Sequence, residues 1–237
     1  ILNANPSVKI IAVCDASSLI NIFFKKYFPK VKFYKDYRLL LENEPLDALI
    51  VSTPPNYHYE IVKIAIENNI HVFCEKPFTT SPEKSEELAC LAEKDGVVNQ
   101  VGYVNRFNTL FLKAKELVEQ NIIGNIVNFK SEMYSNTISK KAKHNNWRAS
   151  RISGGGCLNE MGSHAIDLVN YIIGVPDKVS GSCLKSIYSE RVEDYVASTF
   201  IYISGIVGKL EVNWCEPHFR KPVNRMEILG EKGCIEV

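Results

Sequence analysis

Glu160 and His164 are two residues whose types and spacing suggest chemistry. They are four positions apart, so a helix would place the carboxylate beside the imidazole. A carboxylate in that place can orient or charge an imidazole, and such a pair suits a general base in the oxidation of a hydroxyl. Two other interpretations are open: an ordinary surface pair, and a metal site completed by Asp167 or His144. Because nothing supplies a clean third ligand, we predict no metal.

A lysine with a defined neighbourhood lies in the first half of the chain. Lys76 is the centre of Glu75-Lys76-Pro77, directly after the apolar run 71–74. A lysine that points over a ligand crevice can hold a substrate hydroxyl and favour its deprotonation through its positive charge. The alternative is an exposed surface lysine.

A turn with two prolines precedes that lysine. The segment from Ser52 to His58 follows the apolar run 48–51, which we expect to be a strand covered on both faces. Such a strand delivers its carboxyl end to the ligand crevice of an open α/β sheet, and the next helix N-terminus can bind an anion. Taken alone, the segment is equally compatible with a strand-to-helix turn that binds nothing.

The elements that must position these residues alternate between strand and helix over the first hundred residues. Helical patterns separate apolar, strand-like runs at 8–13, 31–34, 48–52, 71–74 and 97–101. This rhythm predicts an α/β fold with a Rossmann-like, doubly wound parallel sheet and right-handed crossovers. We assign residues 1–104 to this dinucleotide-binding domain.

The pattern changes in the second half of the chain. A helix at 109–120 and a strand at 125–134 precede a long polar stretch, and Gly154-Gly155-Gly156 then leads into a helix. Alternating segments between 178 and 229 predict an open, mostly antiparallel sheet with one solvated face. We assign residues 105–237 to an α+β domain for substrate binding and oligomerisation.

The glycine-rich turn of a dinucleotide site is missing ahead of the first strand-like run. Such a site has G-x-G-x-x-G after its first strand and an acid about 20 residues later. The acid candidate is Asp15, and counting back from it passes the start of the chain. We therefore expect a segment of roughly 20 to 30 residues before Ile1 that carries the first strand and the glycines. We also expect the second, mostly antiparallel sheet to continue beyond Val237, because the chain ends in the strand-like segment 233–237.

Charge and cysteine usage exclude several classes of protein. The net charge is +1, so no global field favours nucleic acid or an anionic membrane. No apolar run approaches the roughly 18 residues that a membrane span needs. The 7 cysteines are scattered singly and form no C-x-x-C pair, which favours free thiols and a cytoplasmic location.

Together these segments resemble the Gfo/Idh/MocA family, the relatives of glucose-fructose oxidoreductase and inositol dehydrogenase. The resemblance covers almost the whole chain and implies a Rossmann domain followed by a domain built on an open mixed sheet. It rests on the order of these elements: Asp15, Thr53-Pro54-Pro55-Asn56 with His58, Glu75-Lys76-Pro77, Gly102-Tyr103, Asn105-Arg106-Phe107, Trp147-Arg148, and the glycine run that leads to His164.

The resemblance also implies roles for single residues. Lys76 would contact the reacting hydroxyl and the nicotinamide ribose, and His164 would accept the proton. Glu160 stands where the family usually has Asp, and we group it with these catalytic residues. Asp15 would hold the adenosine ribose, and a carboxylate there favours NAD over NADP.

The remaining site residues follow from the same resemblance. Trp147 and Arg148 resemble the family segment that reaches back over the cofactor or substrate. Trp147 is equally compatible with a hydrophobic anchor of its own loop. The expected cofactor contacts also include Ser52, Thr53, Pro54, Asn56, His58, Glu75, Arg106, Trp147 and Arg148. The expected substrate contacts are Tyr103, Asn105, Asn159 and His164, with Asn145 as a further polar candidate.

We therefore predict an NAD-dependent dehydrogenase, with NADP as the second choice of cofactor. It would transfer a hydride between nicotinamide and a ring hydroxyl or ketone of a sugar, cyclitol or nucleotide sugar. One alternative is a catalytically silent protein that binds NAD or a sugar on this fold. Another is the reduction of a non-sugar carbonyl or double bond by the same fold. Lys76, Glu160 and His164 together favour the dehydrogenase, since a pure sensor needs no base.

The resemblance finally predicts a homo-oligomer that assembles through the C-terminal sheet. The alternating strands give this sheet a broad face with apolar residues such as Ile201, Ile203 and Val212. Part of that face must cover the helices, and the rest is available to a second copy.

Overall fold

The computed structural model describes residues 5–139, 147–219 and 221–237. Its first half alternates strands and helices as the sequence predicts. The strands are β1 (Ala12–Cys14), β2 (Lys32–Tyr34), β3 (Ala48–Val51), β4 (His71–Cys74) and β5 (Asn99–Val101). The helices are α1 (Ser18–Tyr27), α2 (Tyr37–Asn43), α3 (His58–Glu67) and α4 (Pro82–Lys94). All strand pairs in this half are parallel, which confirms the predicted α/β class.

The parallel strands form two separate sheets. β1 pairs with β2, while β3, β4 and β5 pair in that order. Within the described residues β1 and β3 do not pair, and the sequence predicts a further strand between them; that strand stays a prediction. We expect β3 to be covered on both faces, but the side chain of Ile50 is 52% exposed. β3 is also the edge strand of its sheet within the described residues.

Local signals explain where the helices of this half begin and which face they bury. α4 starts with Pro82 at its first position, and the Ser81 hydroxyl accepts a hydrogen bond from the Lys84 amide. α3 buries one apolar face against the sheet, formed by Ile61, Val62, Ala65 and Ile66. That packing fixes the turn between β3 and α3, which is part of the predicted crevice.

The second half contains two further helices and a six-stranded sheet. The helices are α5 (Thr109–Glu119) and α6 (Ser163–Ile172). The strands are β6 (Ile126–Tyr134), β7 (Lys178–Lys185), β8 (Tyr195–Ile201), β9 (Val207–Asn213), β10 (Val223–Gly230) and β11 (Gly233–Glu236), in the order β11-β10-β6-β9-β8-β7. Only the pair β6–β9 is parallel, so the open, mostly antiparallel sheet is confirmed. None of the described helices has the length and apolar character of a membrane span.

The two faces of this sheet differ because side chains alternate along each strand. The inner face packs against α6 and includes Val212, which is 0% exposed, so Val212 lies on the part of the sheet that covers the helices. Ile201 alternates with the buried Phe200 and therefore lies on the outer face. Ile203 follows β8 in a turn and is 90% exposed.

Candidate active site

Two turns at the carboxyl ends of β3 and β4 form one side of the candidate site. The carbonyl oxygen of Val51 accepts a hydrogen bond from the Glu75 amide at 2.8 Å, where the two strands end. The turn after β4 carries Lys76, and its peptide bond to Pro77 is cis. The turn after β3 leaves three polar side chains exposed, namely Ser52, Thr53 and Asn56. Both predicted crevice segments therefore leave the sheet from neighbouring parallel strands.

Lys76 connects this edge of the sheet to the second half of the chain. Its ammonium group donates a hydrogen bond to the backbone carbonyl oxygen of Glu160 at 2.5 Å and lies 3.7 Å from the Glu160 carboxylate. The lysine side chain is 12% exposed. Burial lowers the pKa of Lys76, and the negative charges of Glu160 and Glu75 oppose that effect. A positive charge is thus held inside a partly closed site.

Glu160 lies between two cations. One carboxylate oxygen faces Lys76, and the other is 3.3 Å from Nε of Arg148. The Arg148 guanidinium lies over the Trp147 indole, 4.7 Å from the ring centroid. The segment 147–149 is therefore held beside Lys76 by the Glu160 carboxylate. The cofactor contacts expected of Trp147 and Arg148 remain predictions.

Glu160 lies in a π-helical turn that precedes the helix with His164. The turn spans Leu158–Gly162 and continues directly into α6. Such turns change the spacing of side chains, so Glu160 and His164 are not the regular i,i+4 neighbours expected from an α-helix. No hydrogen bond joins them within the described residues, because the carboxylate is turned toward Lys76 and Arg148.

His164 is a neutral imidazole at physiological pH. Burial and then the charge of Lys76 lower its pKa to about 4, and Glu160 acts in the opposite direction. Its Nδ1 atom is buried and has no hydrogen-bond partner among the described residues. The ring of Tyr103 stands edge-on to the imidazole, with centroids 6.2 Å apart. A neutral, partly buried imidazole beside a lysine can act as a general base.

Gly155 and Gly156 allow other segments to approach the start of this helix. A Cβ atom on Gly155 would lie 2.2 Å from the carbonyl oxygen of Arg148. Gly156 has φ +106°, and a Cβ atom there would lie 2.3 Å from a carboxylate oxygen of Glu193. That same oxygen accepts a hydrogen bond from the Leu158 amide at 2.9 Å. Glu193 thus holds the start of the turn that carries Glu160, and no spacing rule in the sequence predicts it.

Asp194, the next residue, supports the chain next to Glu193, and the sequence does not predict this role either. Its side chain is 0% exposed. One carboxylate oxygen accepts from the Trp214 indole at 2.6 Å and from the Ser189 hydroxyl, and the other accepts from three backbone amides of residues 187–189. Burial would raise the pKa of Asp194, but these hydrogen bonds outweigh it and lower the pKa. The carboxylate organises the chain just before β8.

Arg106 forms a bidentate ion pair with Asp167 of α6. The guanidinium Nε and NH2 atoms lie 2.6–3.1 Å from the two carboxylate oxygens, and Asp167 is 7% exposed. The guanidinium also lies over the Tyr171 ring at 4.9 Å. This pair docks the segment with Tyr103 onto the helix with His164. The cofactor contact expected of Arg106 stays a prediction beside this structural role.

The other predicted residues lie at separate places. Asp15 follows β1, and its Oδ1 accepts from the Ser17 amide at 2.7 Å, while Oδ2 has no hydrogen-bond partner within the described residues. The Asn159 side-chain amide donates to the Gly155 carbonyl oxygen at 3.3 Å. Asn105 is partly exposed in a short 3₁₀ turn, Val104–Phe107. Asn145 and His144 lie outside the described residues.

His58 differs from the other residues of its turn, because its side chain is fully buried. Its Nε2 lies 2.7 Å from the Thr53 carbonyl oxygen, and its Nδ1 lies 2.9 Å from the Pro77 carbonyl oxygen. The structure therefore brings His58 together with both crevice turns through backbone atoms. The direct cofactor contact expected of His58 stays a prediction.

The candidate metal ligands Glu160, His164 and Asp167 do not converge. Within the part of the chain that the structure describes, the one group of side chains close enough to share an ion is Glu227, Cys234 and Glu236. All three are exposed on the paired strands β10 and β11, and exposed acidic groups are common without a metal. Nothing in this arrangement connects it to the candidate active site.

Two family models match the chain and together cover almost all of it. Residues 1–103 match a model described as an oxidoreductase family with an NAD-binding Rossmann fold. Residues 111–236 match the GFO/IDH/MocA C-terminal domain.

Individual relatives point the same way. An uncharacterized oxidoreductase of Schizosaccharomyces pombe is 35% identical over 65% of this chain and 41% of its own length. The scyllo-inositol 2-dehydrogenase (NAD(+)) of Bacillus subtilis is 28% identical over 86% of this chain and 58% of its own length. The chain thus spans about half the length of these curated relatives. A levoglucosan dehydrogenase solved with NADH and levoglucosan shares the fold, with a TM-score of 0.87, 21% identity, and coverage of 96% of this chain and 64% of that one.

Proposed function

The chain belongs to the Gfo/Idh/MocA family of oxidoreductases, and we propose that it is an NAD-dependent dehydrogenase acting on a ring hydroxyl of a sugar, cyclitol or nucleotide sugar. The observation that carries the proposal is the contact of Lys76 with Glu160, beside a neutral His164. This contact supports the proposal because it lies at the carboxyl edge of a parallel sheet, where ligands of α/β folds bind.

The two residues divide the handling of the hydroxyl proton. Lys76 holds the substrate oxygen and stabilises negative charge on it. His164 is neutral above a pH of about 4 and accepts the proton. The hydroxyl becomes acidic as its carbon loses a hydride, so even a weakly basic imidazole suffices. Tyr103, Asn105 and Asn159 then supply polar contacts to the other substrate hydroxyls.

The residues present fit the dinucleotide. Oδ2 of Asp15 is free of hydrogen bonds within the described residues, so it can accept from a ribose hydroxyl. A carboxylate at that place repels a 2′-phosphate, so we propose NAD rather than NADP. The exposed turn at Ser52, Thr53, Pro54 and Asn56 lines the same crevice, with Glu75, Arg106, Trp147 and Arg148 as further contacts. When bound, the nicotinamide ring supplies the hydride acceptor.

A panel of sugars, inositols and nucleotide sugars tests the proposal. The full-length protein is mixed with NAD and each compound, and NADH absorbance is followed. We expect turnover with at least one polyol and none with simple aliphatic alcohols. Binding of NADH or a sugar without any absorbance change across the panel would instead support a silent binding protein.

We also propose that the outer face of the six-stranded sheet binds a second copy of the chain. Apolar side chains on this face include Ile201, and both Val207 and Leu229 are at least 40% exposed. A charge placed there, as in Val207→Asp, should lower the molar mass measured by sedimentation while the protein stays folded. An unchanged mass would count against this interface.

The cysteines support a cytoplasmic location. All 7 are free thiols in the structure. Several are buried, and burial raises the pKa of Cys74 to about 12, so this thiol is not reactive. A protein full of unpaired cysteines suits a reducing compartment. Fractionation of cells that express the full-length protein tests the location, and recovery outside the cytoplasm would contradict it.

A further inference from the structure

His58 is wedged between the two turns of the candidate site. It is the first residue of α3, and 0% of it is exposed. Its two ring nitrogens lie 2.7 Å from the carbonyl oxygen of Thr53 and 2.9 Å from that of Pro77. Both distances lie within hydrogen-bond range and both partners are backbone carbonyl oxygens, and a neutral imidazole has one N–H group to donate. One turn lines the proposed cofactor crevice, and the other immediately follows Lys76.

The sheet itself does not connect these turns. The ladder between β3 and β4 closes with the bond from the Glu75 amide to the Val51 carbonyl oxygen. Beyond that bond, the hydrogen bonds of the described residues join segment 52–56 to segment 76–78 only through the His58 ring. Because α3 is anchored in the core by Ile61 and Val62, the imidazole is a fixed spacer rather than a mobile side chain.

We infer that His58 is a positioning residue, which sets the distance between the cofactor turn at Thr53 and the Lys76 ammonium. The inference rests on the proposed function and deepens it, since it assigns His58 a part in the same crevice. A buried ring with both nitrogens at carbonyl oxygens acts on the cofactor crevice through the Thr53 backbone. It acts on the chemistry through Pro77, which sets where Lys76 leaves the sheet.

Two substitutions separate positioning from packing. His58→Phe keeps a ring of similar size but has no donor for either carbonyl oxygen. His58→Gln keeps a side-chain amide NH2 group, which can donate to one of the two carbonyl oxygens. His71→Phe is the matched control, because His71 lies at the other end of β4 and is exposed. The Kd for NADH is measured by fluorescence titration on the full-length protein, beside the thermal midpoint of each variant.

We expect the Kd for NADH to rise about tenfold in His58→Phe, the change that corresponds to the loss of about one hydrogen bond. The His58→Gln value should lie between the wild-type and His58→Phe values, and His71→Phe should bind as the wild type does. If His58→Phe does not fold, the Kd of His58→Gln for NADH tests the inference by itself. A lowered thermal midpoint with an unchanged Kd in the folded variant would mean that His58 contributes only to packing, and this would overturn the inference.

The titration needs no substrate, so it is independent of the substrate proposal. Wild-type protein that binds NADH but oxidises no polyol would contradict the proposed reaction and leave the His58 comparison interpretable. Where a substrate is found, kcat gives a second readout, because displacement of Lys76 should lower kcat roughly tenfold or more in His58→Phe. An unchanged kcat per bound NADH would show that His58 does not position Lys76.

Discussion

The ammonium group of Lys76 lies 2.5 Å from the backbone carbonyl oxygen of Glu160, although 84 positions separate the two residues in the chain. The bond joins the end of β4 to the π-helical turn ahead of α6. It therefore brings the lysine of the parallel sheet next to the helix that carries His164.

The low pKa of His164 should appear in the pH dependence of stability. The folded state holds this pKa at about 4, below its ordinary value of 6.5. As pH falls from about 6.5 to about 4, the unfolded chain takes up a proton that the folded state does not, so this contribution to stability is lost. Urea denaturation of wild type and His164→Asn across this range measures it. The difference between the two should change in that window, and a constant difference would contradict the assignment.

Shortening Glu160 should separate its two ion pairs. In Glu160→Asp the carboxylate withdraws by one methylene and loses Arg148, now 3.3 Å away, while the backbone bond to Lys76 remains. Because the Arg148 pair is partly exposed, we expect kcat/KM to fall by less than about tenfold. Arg148→Met should cause the same loss, and the double variant should add little to it. Fully additive losses would show that the two side chains do not act together.

The Arg106–Asp167 pair should respond asymmetrically to mutation. Removal of the arginine leaves a carboxylate that is 7% exposed without its partner, whereas removal of the carboxylate leaves an arginine that is 43% exposed and can be hydrated. We expect Arg106→Met to lower the free energy of unfolding by about 2 kcal/mol. Asp167→Asn should cost less. Urea denaturation of both variants gives the comparison, and the reverse order would refute this explanation.

Asp15 should set the choice between the two dinucleotides. Asp15→Ala removes the carboxylate that would bind the adenosine ribose and repel a 2′-phosphate. We expect kcat/KM for NAD to fall about tenfold, the loss of about one charged hydrogen bond, and the value for NADP to rise. Ser17→Ala is a control, since Asp15 accepts from its backbone amide and not from its hydroxyl. A drop of equal size for both cofactors would mean that Asp15 does not discriminate.

The sequence allowed the strand ends to be predicted more accurately than the contacts between them. Apolar runs mark β3 and β4, and parallel pairing brings the turns at Thr53 and Lys76 to one edge. A regular helix predicts that the Glu160 carboxylate lies beside His164. The π-helical turn at Leu158–Gly162 changes the spacing, so this prediction is wrong. The Glu193 contact with Leu158 spans 35 positions, and no local pattern encodes it. His58 was recognisable as part of a motif, whereas its burial depends on how α3 packs.

We propose that Lys76 and His164 carry the chemistry of the hydride transfer. The most direct test is kcat for Lys76→Met and His164→Asn at saturating substrate, with Lys63→Met as a control away from the site that removes the Lys63 contacts with Glu87 and Tyr59. We expect both site variants to bind NADH and to lose roughly a hundredfold or more in kcat, while the control keeps wild-type turnover. Near-wild-type turnover in either site variant would contradict the assignment.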